Sequence, residues 1–203
     1  MTLPRTIRAP LADALLTPQN AALVIIDFQP VQVSSIMTME KRLLMANVVA
    51  PARKAKLYDL PVVLTTVNVA TGLNTPTIKP LTDVLTGIVP IDRTAINAWE
   101  DEDFVAAVKA TGRKKLIMVA LWTEVCLAFP ALDALREGFE VFAVVDAVGG
   151  TSELAHKAGL DRVMQAGGQP TSWIQVACEL QRDWNRESTA KAFAEIVLSS
   201  VGH

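Results

Sequence analysis

KLIMVALWTEVC, residues 115–126, opens with a continuous apolar run over 115–121 and closes on Thr123, Glu124 and a cysteine. An uninterrupted run of Val, Ile, Leu and Met of this length, with no polar alternation, is how a strand buried on both faces of a parallel sheet reads. Working outward, ALVIID (22–27), PVVLTTV (61–67) and EVFAVVD (140–146) share the same texture. The weaker IVPID (88–92) and GGQPTSW (167–173) contain prolines, which suits edge strands, where a missing N–H does least harm.

Helical patterns separate these runs. Residues 40–57 place Leu43, Leu44, Val48 and Ala52 at helical spacing, with Pro51 predicting a kink or break in the middle. Residues 101–110 carry acids in the first turn, a periodic face of Phe104, Val105 and Val108, and Gly112 beyond the end. The segment 126–137 has Pro130 early and Gly138 just after it. Further helices are predicted over 153–166, 173–184 and 187–201. The last has an apolar stripe of Phe193, Ile196 and Val197 that suits packing on a neighbouring subunit. Residues 68–90, with Gly72, Pro76, Pro80 and Gly87, are long for a connection and predict a short helix or a functional loop, a candidate lid. The β-α-β-α alternation implies a three-layer α/β/α sandwich with right-handed crossovers.

The chain has 203 residues, 51% of them apolar, enough to bury a substantial core in one domain, and disorder is excluded. With 19 basic and 21 acidic side chains the net charge is −2, so no basic field favours nucleic acid or an anionic membrane. The opening MTLPRTIRAPLADALL lacks the clean apolar run of a secretory leader, and no run approaches a membrane span. Two cysteines and six methionines fit a reducing compartment. The expectation is a soluble, cytoplasmic protein.

Ligands in open α/β sheets bind at the carboxyl ends of strands, where the strand order reverses. Those ends supply Asp27 in VIIDFQ, Arg93 after IVPID and Cys126 after LWTEV. A thiol at a helix N-terminus beside a guanidinium is favoured as thiolate, and a neighbouring carboxylate can take its proton. The same residues also have structural readings. Asp27, and Asp146 in VVDA, could serve by accepting loop amides. Arg93 could be a surface charge or pair with Glu100 or Asp101. Cys178, in WIQVACEL, reads as packing, as do Trp173 and Trp184. No GxGxxG follows the first strand, and no GK[ST] or GxSxG is present, so dinucleotide, nucleoside triphosphate and serine-elbow chemistry lack their motifs. The two histidines, His156 and His203, are too few for a multi-histidine metal site, and His156 reads as a helix-surface or pocket-lining residue. Any general base is then a carboxylate.

The block RTAINAWEDEDFVAAVKATGRKKLIMVALWTEVCLAFPALDALREGFEVFAVVDAVGG, with VIIDFQ upstream and HKAGLDRVMQAGGQPTSWIQVACELQRDW downstream, resembles the isochorismatase-like cysteine hydrolases, in their YcaC-type branch. The resemblance spans residues 15 to 186. It implies a doubly wound, six-stranded parallel sheet of order 3-2-1-4-5-6 over a hydrolase domain of residues 1–186, with 187–203 as a C-terminal helical extension. It also implies a triad of Asp27, Arg93 and Cys126, with Arg93 at the position of the family lysine. Arginine stays charged, which leaves it an electrostatic role. A cis peptide at Leu121–Trp122 and an oxyanion hole from the N–H groups of Trp122 and Cys126 are further implications. Phe28, Gln29, Asn97, Trp99 and Thr123 are the candidate substrate-binding residues. With no histidine between 27 and 93, the metal cluster of the nicotinamidase relatives is not matched, and no cofactor or metal is expected.

The function this implies is hydrolysis of a small amide or related carbonyl compound through a thioester on Cys126, by a homo-oligomer assembled like the octamers of the branch. The rival is a non-catalytic oligomeric member with a redox-reactive thiol at Cys126.

Overall fold

The computed structural model describes residues 9–200. The segment 1–8, half of the stretch weighed against a secretory leader, lies outside the described residues, as do Val201 at the end of the expected last helix and His203. Among the described residues, no helix is long and apolar enough to cross a membrane.

Six strands form one parallel sheet of order β3-β2-β1-β4-β5-β6: β1 (Ala21–Ile26), β2 (Val62–Val67), β3 (Ile91–Arg93), β4 (Lys115–Ala120), β5 (Glu140–Val144) and β6 (Gln169–Thr171). The two proline-bearing runs supply the edges, with Pro90 just before β3 and Pro170 within β6. Both faces of the central strands are covered, which is why their sequences do not alternate. Leu23, Ile25, Ile117, Val119, Phe142 and Val144 enter one core cluster. Their neighbours Ala22, Val24, Ile26, Leu116, Met118, Ala120, Val141 and Ala143 enter the other.

The helices are α1 (Pro30–Ser34), α2 (Lys41–Leu57), α3 (Lys79–Val84), α4 (Glu102–Ala110), α5 (Ala128–Arg136), α6 (Glu153–Gln165), α7 (Trp173–Gln181) and α8 (Glu187–Ser200). Four outcomes differ from the sequence reading. First, α2 runs through Pro51 without a break, since burial of Leu44, Val48, Pro51, Ala52 and Ala55 offsets one lost backbone bond. Second, the five-residue α1 escapes periodicity altogether, although Pro30 stands at its start. Third, residues 68–90 are not a free lid: α3 lies there, Ile78, Leu81 and Leu85 are buried, and Ile78 donates its N–H to the Phe28 carbonyl at 2.9 Å. Fourth, the stripe on α8 packs on its own chain, with Phe193 and Ile196 buried, and Lys54 of α2 donating to the Phe193 carbonyl at 2.9 Å.

Candidate active site

β1 and β4 are hydrogen-bonded neighbours whose connections leave on opposite sides, so their carboxyl ends mark the reversal in strand order. Asp27 follows β1 directly, with φ of 59° and its N–H bonded to the Thr65 carbonyl at 3.1 Å. Aspartate tolerates this left-handed conformation better than most residues, and it turns the carboxyl over the strand end. Arg93 closes β3. Its Nη2 meets Asp27 Oδ2 at 2.5 Å and its Nη1 donates to the Ala95 carbonyl at 2.5 Å. Both side chains of this ion pair are fully buried.

β4 leads into a π-helical turn, Thr123–Leu127, that carries Cys126 before α5 begins at Ala128. The sequence reading placed a helix start at Cys126; the extra turn ahead of α5 sets the thiol back over the strand ends. Cys126 is 7% exposed and interacts directly with the Asp27 carboxyl. The Trp122 main-chain N–H hydrogen-bonds the sulfur. Asp27 Oδ1 and Arg93 Nε are buried without a nitrogen or oxygen partner among the described residues, so polar capacity is left beside the thiol. The Leu121–Trp122 peptide is cis.

The electrostatics correct one expectation. Burial pushes the Cys126 thiol up to about 12, and the Asp27 charge adds to the rise, against smaller opposing effects of Arg93 and the Trp122 amide. Burial also raises the Asp27 carboxyl, with Arg93 pulling the other way. A helix dipole and a guanidinium do not offset the burial of this thiol, and the carboxylate in the same dry space adds to the rise. The resting pair is a neutral thiol beside a carboxyl held by arginine.

The five candidate substrate-binding side chains also have structural roles. Phe28 is fully enclosed in one core cluster. The Gln29 amide nitrogen donates to the Val67 and Thr75 carbonyls at 3.1 and 2.7 Å, and its oxygen accepts the Val67 N–H at 2.9 Å, so it staples the 68–75 loop. Asn97 caps the short 3-10 turn Ala98–Glu100 and donates to Asp133 at 2.8 Å. Trp99 packs edge-on to Phe104 and Phe139 and donates to Glu137. Thr123, the first residue of the π-helical turn, is fully buried. Asp146 accepts the Trp173 N–H at 2.9 Å and so caps α7. Cys178 is exposed on α7, not packed.

Two residues the sequence reading did not place in the site, Ser35 and Gly159, support it, together with His156, which read as helix-surface or pocket-lining. Ser35 accepts the Trp122 indole N–H at 2.7 Å. His156 meets the Thr123 hydroxyl, and Gly159 lets α6 close on the turn. A glycine inside the 153–166 helical pattern was the available signal, because its helical cost calls for a packing reason. No group of three or more His, Cys, Asp or Glu side chains among the described residues could hold a metal ion.

Residues 21–175 match the family described as the Isochorismatase domain. The Escherichia coli K12 protein named Probable hydrolase YcaC is 44% identical over 173 residues, 85% of this chain and 83% of that protein. Among solved structures, the YcaC gene product of Escherichia coli, described as an octameric hydrolase of unknown specificity, is 41% identical with a TM-score of 0.84, covering 93% of each chain. YcaC from Pseudomonas aeruginosa, solved with hexane-2,5-diol and covalent acrylamide, is 37% identical with a TM-score of 0.82, covering 92% of this chain and 96% of that one. Fold and sequence are thus shared across nearly the whole length, and the chain belongs to the isochorismatase family, in its YcaC-type branch.

Proposed function

We propose that this chain is a cofactor-independent cysteine hydrolase acting on a small amide or related carbonyl compound. The observation that carries the reading is the buried convergence of Asp27, Arg93 and Cys126 at three strand ends. Arg93 pulls against the burial that raises the Asp27 carboxyl, favouring the carboxylate that serves as base. As the Cys126 sulfur bonds to the substrate carbonyl carbon, its proton passes to Asp27, so no free thiolate need accumulate. The oxygen that becomes negative is held by the main-chain N–H groups of Trp122 and Cys126. When the carbon–nitrogen bond breaks, Asp27 returns the proton to the leaving amine, leaving a thioester. Water then attacks that thioester, giving one proton to Asp27, which restores it to the departing sulfur.

The Pseudomonas relative solved with covalent acrylamide takes up a small electrophile that bears an amide, a reactivity that this reading and a redox-reactive thiol both expect. By likeness to the octameric relative we also infer a homo-oligomer, to be measured by mass photometry. The test of function is turnover of a panel of small amides by wild type and Cys126→Ala. Loss of at least about 10³-fold in kcat is expected; a variant that keeps wild-type turnover overturns the proposal.

A further inference from the structure

The turn that carries Cys126 is gripped from outside by α6. Thr123, its first residue, is fully buried and donates its N–H to the Gly149 carbonyl at 2.9 Å. Its hydroxyl lies 2.9 Å from Nδ1 of His156, and a hydrogen bond joins the two. The helix comes this near because residue 159 is glycine: a Cβ there would stand 2.7 Å from the Glu124 Cα and 3.0 Å from its nitrogen. His156 and Gly159 are three residues apart, on one helix face. The next residue of the turn, Glu124, accepts the Thr151 N–H at 2.9 Å and its hydroxyl at 2.6 Å.

We propose that His156 is a positioning residue that acts through the Thr123 hydroxyl to fix the turn, and with it the approach of the Cys126 sulfur to Asp27. The inference rests on the hydrolase reading above. A residue that only filled space would be satisfied by any side chain of similar volume, whereas this contact needs a polar atom at the Nδ1 position and a hydroxyl at residue 123. Burial lowers the pKa of His156, with Glu153 of α6 and Glu124 of the turn as the charged groups that oppose this. The ring is therefore neutral near pH 7, and a neutral side chain of matching reach can replace it.

The test is the rate of iodoacetamide alkylation at Cys126, followed by mass spectrometry of separate Cys126 and Cys178 peptides. The variants are His156→Leu, His156→Asn, Thr123→Val and Thr123→Ser, each with a thermal melt. His156→Leu and Thr123→Val are expected to slow Cys126 alkylation about tenfold, since small misplacement of a reacting atom is costly. His156→Asn and Thr123→Ser are expected to recover to within about threefold, with Cys178 unchanged throughout. Thr123→Val is nearly isosteric and carries the test if His156→Leu does not fold. Wild-type rates in the folded Leu or Val variants overturn the proposal, as does an Asn variant no faster than Leu. Alkylation requires no turnover, so failure of the hydrolase reading shows separately, as amide turnover surviving Cys126→Ala. Where turnover is measured, His156→Leu is expected to lower kcat and leave KM within about twofold.

Discussion

Asp27 Oδ2 and Arg93 Nη2 stand 2.5 Å apart with neither side chain reaching solvent, and the Cys126 thiol shares that dry space. Removing one member of a buried ion pair leaves the other uncompensated. Arg93→Met is expected to destabilise the fold by about 3–5 kcal/mol, read from urea unfolding. Arg93→Lys keeps a charge near Asp27 but has no second fork nitrogen for the Ala95 carbonyl, so it is expected to fall between Met and wild type. Equal stability of Arg93→Met and wild type would remove the pair from the architecture of the site.

The pH dependence of kcat/KM follows from the same pair. Burial raises the Asp27 carboxyl above its ordinary 3.8, and the carboxylate form is the base. The acid limb is therefore expected at a pH above the usual carboxylate range, with rate rising as Asp27 ionises. No inflection is expected near the ordinary thiol value of 9.0, because Cys126 is pushed up to about 12. A pH–rate plot that rises through 9 would mean that free thiolate, not the carboxyl–thiol pair, is the reactive form.

Gln29 separates stapling from substrate binding. Its amide makes three part-buried hydrogen bonds to the β2 end and the following loop. Gln29→Met strands those three partners, and a loss of at least about 3 kcal/mol is expected, at about 1–3 kcal/mol per unsatisfied group. Chemical denaturation checks it. A variant of unchanged stability with a raised KM would return Gln29 to the pocket.

Lys54 sits beneath α8, donating to the Phe193 carbonyl, with its nitrogen 4.0 Å from the Phe193 ring centroid. Burial lowers its pKa from 10.5 to about 8. Between those values the unfolded chain holds a proton that the folded chain has released, so this contribution to stability grows with rising pH across the interval. Urea midpoints at several pH values are expected to show that slope in wild type and to lose it in Lys54→Met. An unchanged slope in the variant would assign the effect to another group.

The parallel sheet was legible because unbroken apolar runs need two covering layers, while its strand order came with the family resemblance; Asp27 and Cys126 stood out because they follow such runs at strand ends. What stayed hidden depended on pairing across the chain. Gln29 reads as a pocket residue until the Val67 and Thr75 main chain appears beside it, and the stripe of Phe193 and Ile196 does not announce which surface it covers. The protonation state was missed for a related reason. Helix dipole and arginine are visible in sequence order, but desolvation, the largest effect on Cys126, exists only once the chain has folded around it.

The most direct measurement is acid-quenched mass spectrometry of the tryptic peptide 116–136, which carries Cys126, during turnover of a small amide. An acyl group on Cys126 in the wild type, lost when Asp27 is replaced by Asn, is the expected result. Amide turnover with no acyl group on that peptide, or acylation that proceeds equally in Asp27→Asn, would contradict the carboxyl–thiol mechanism.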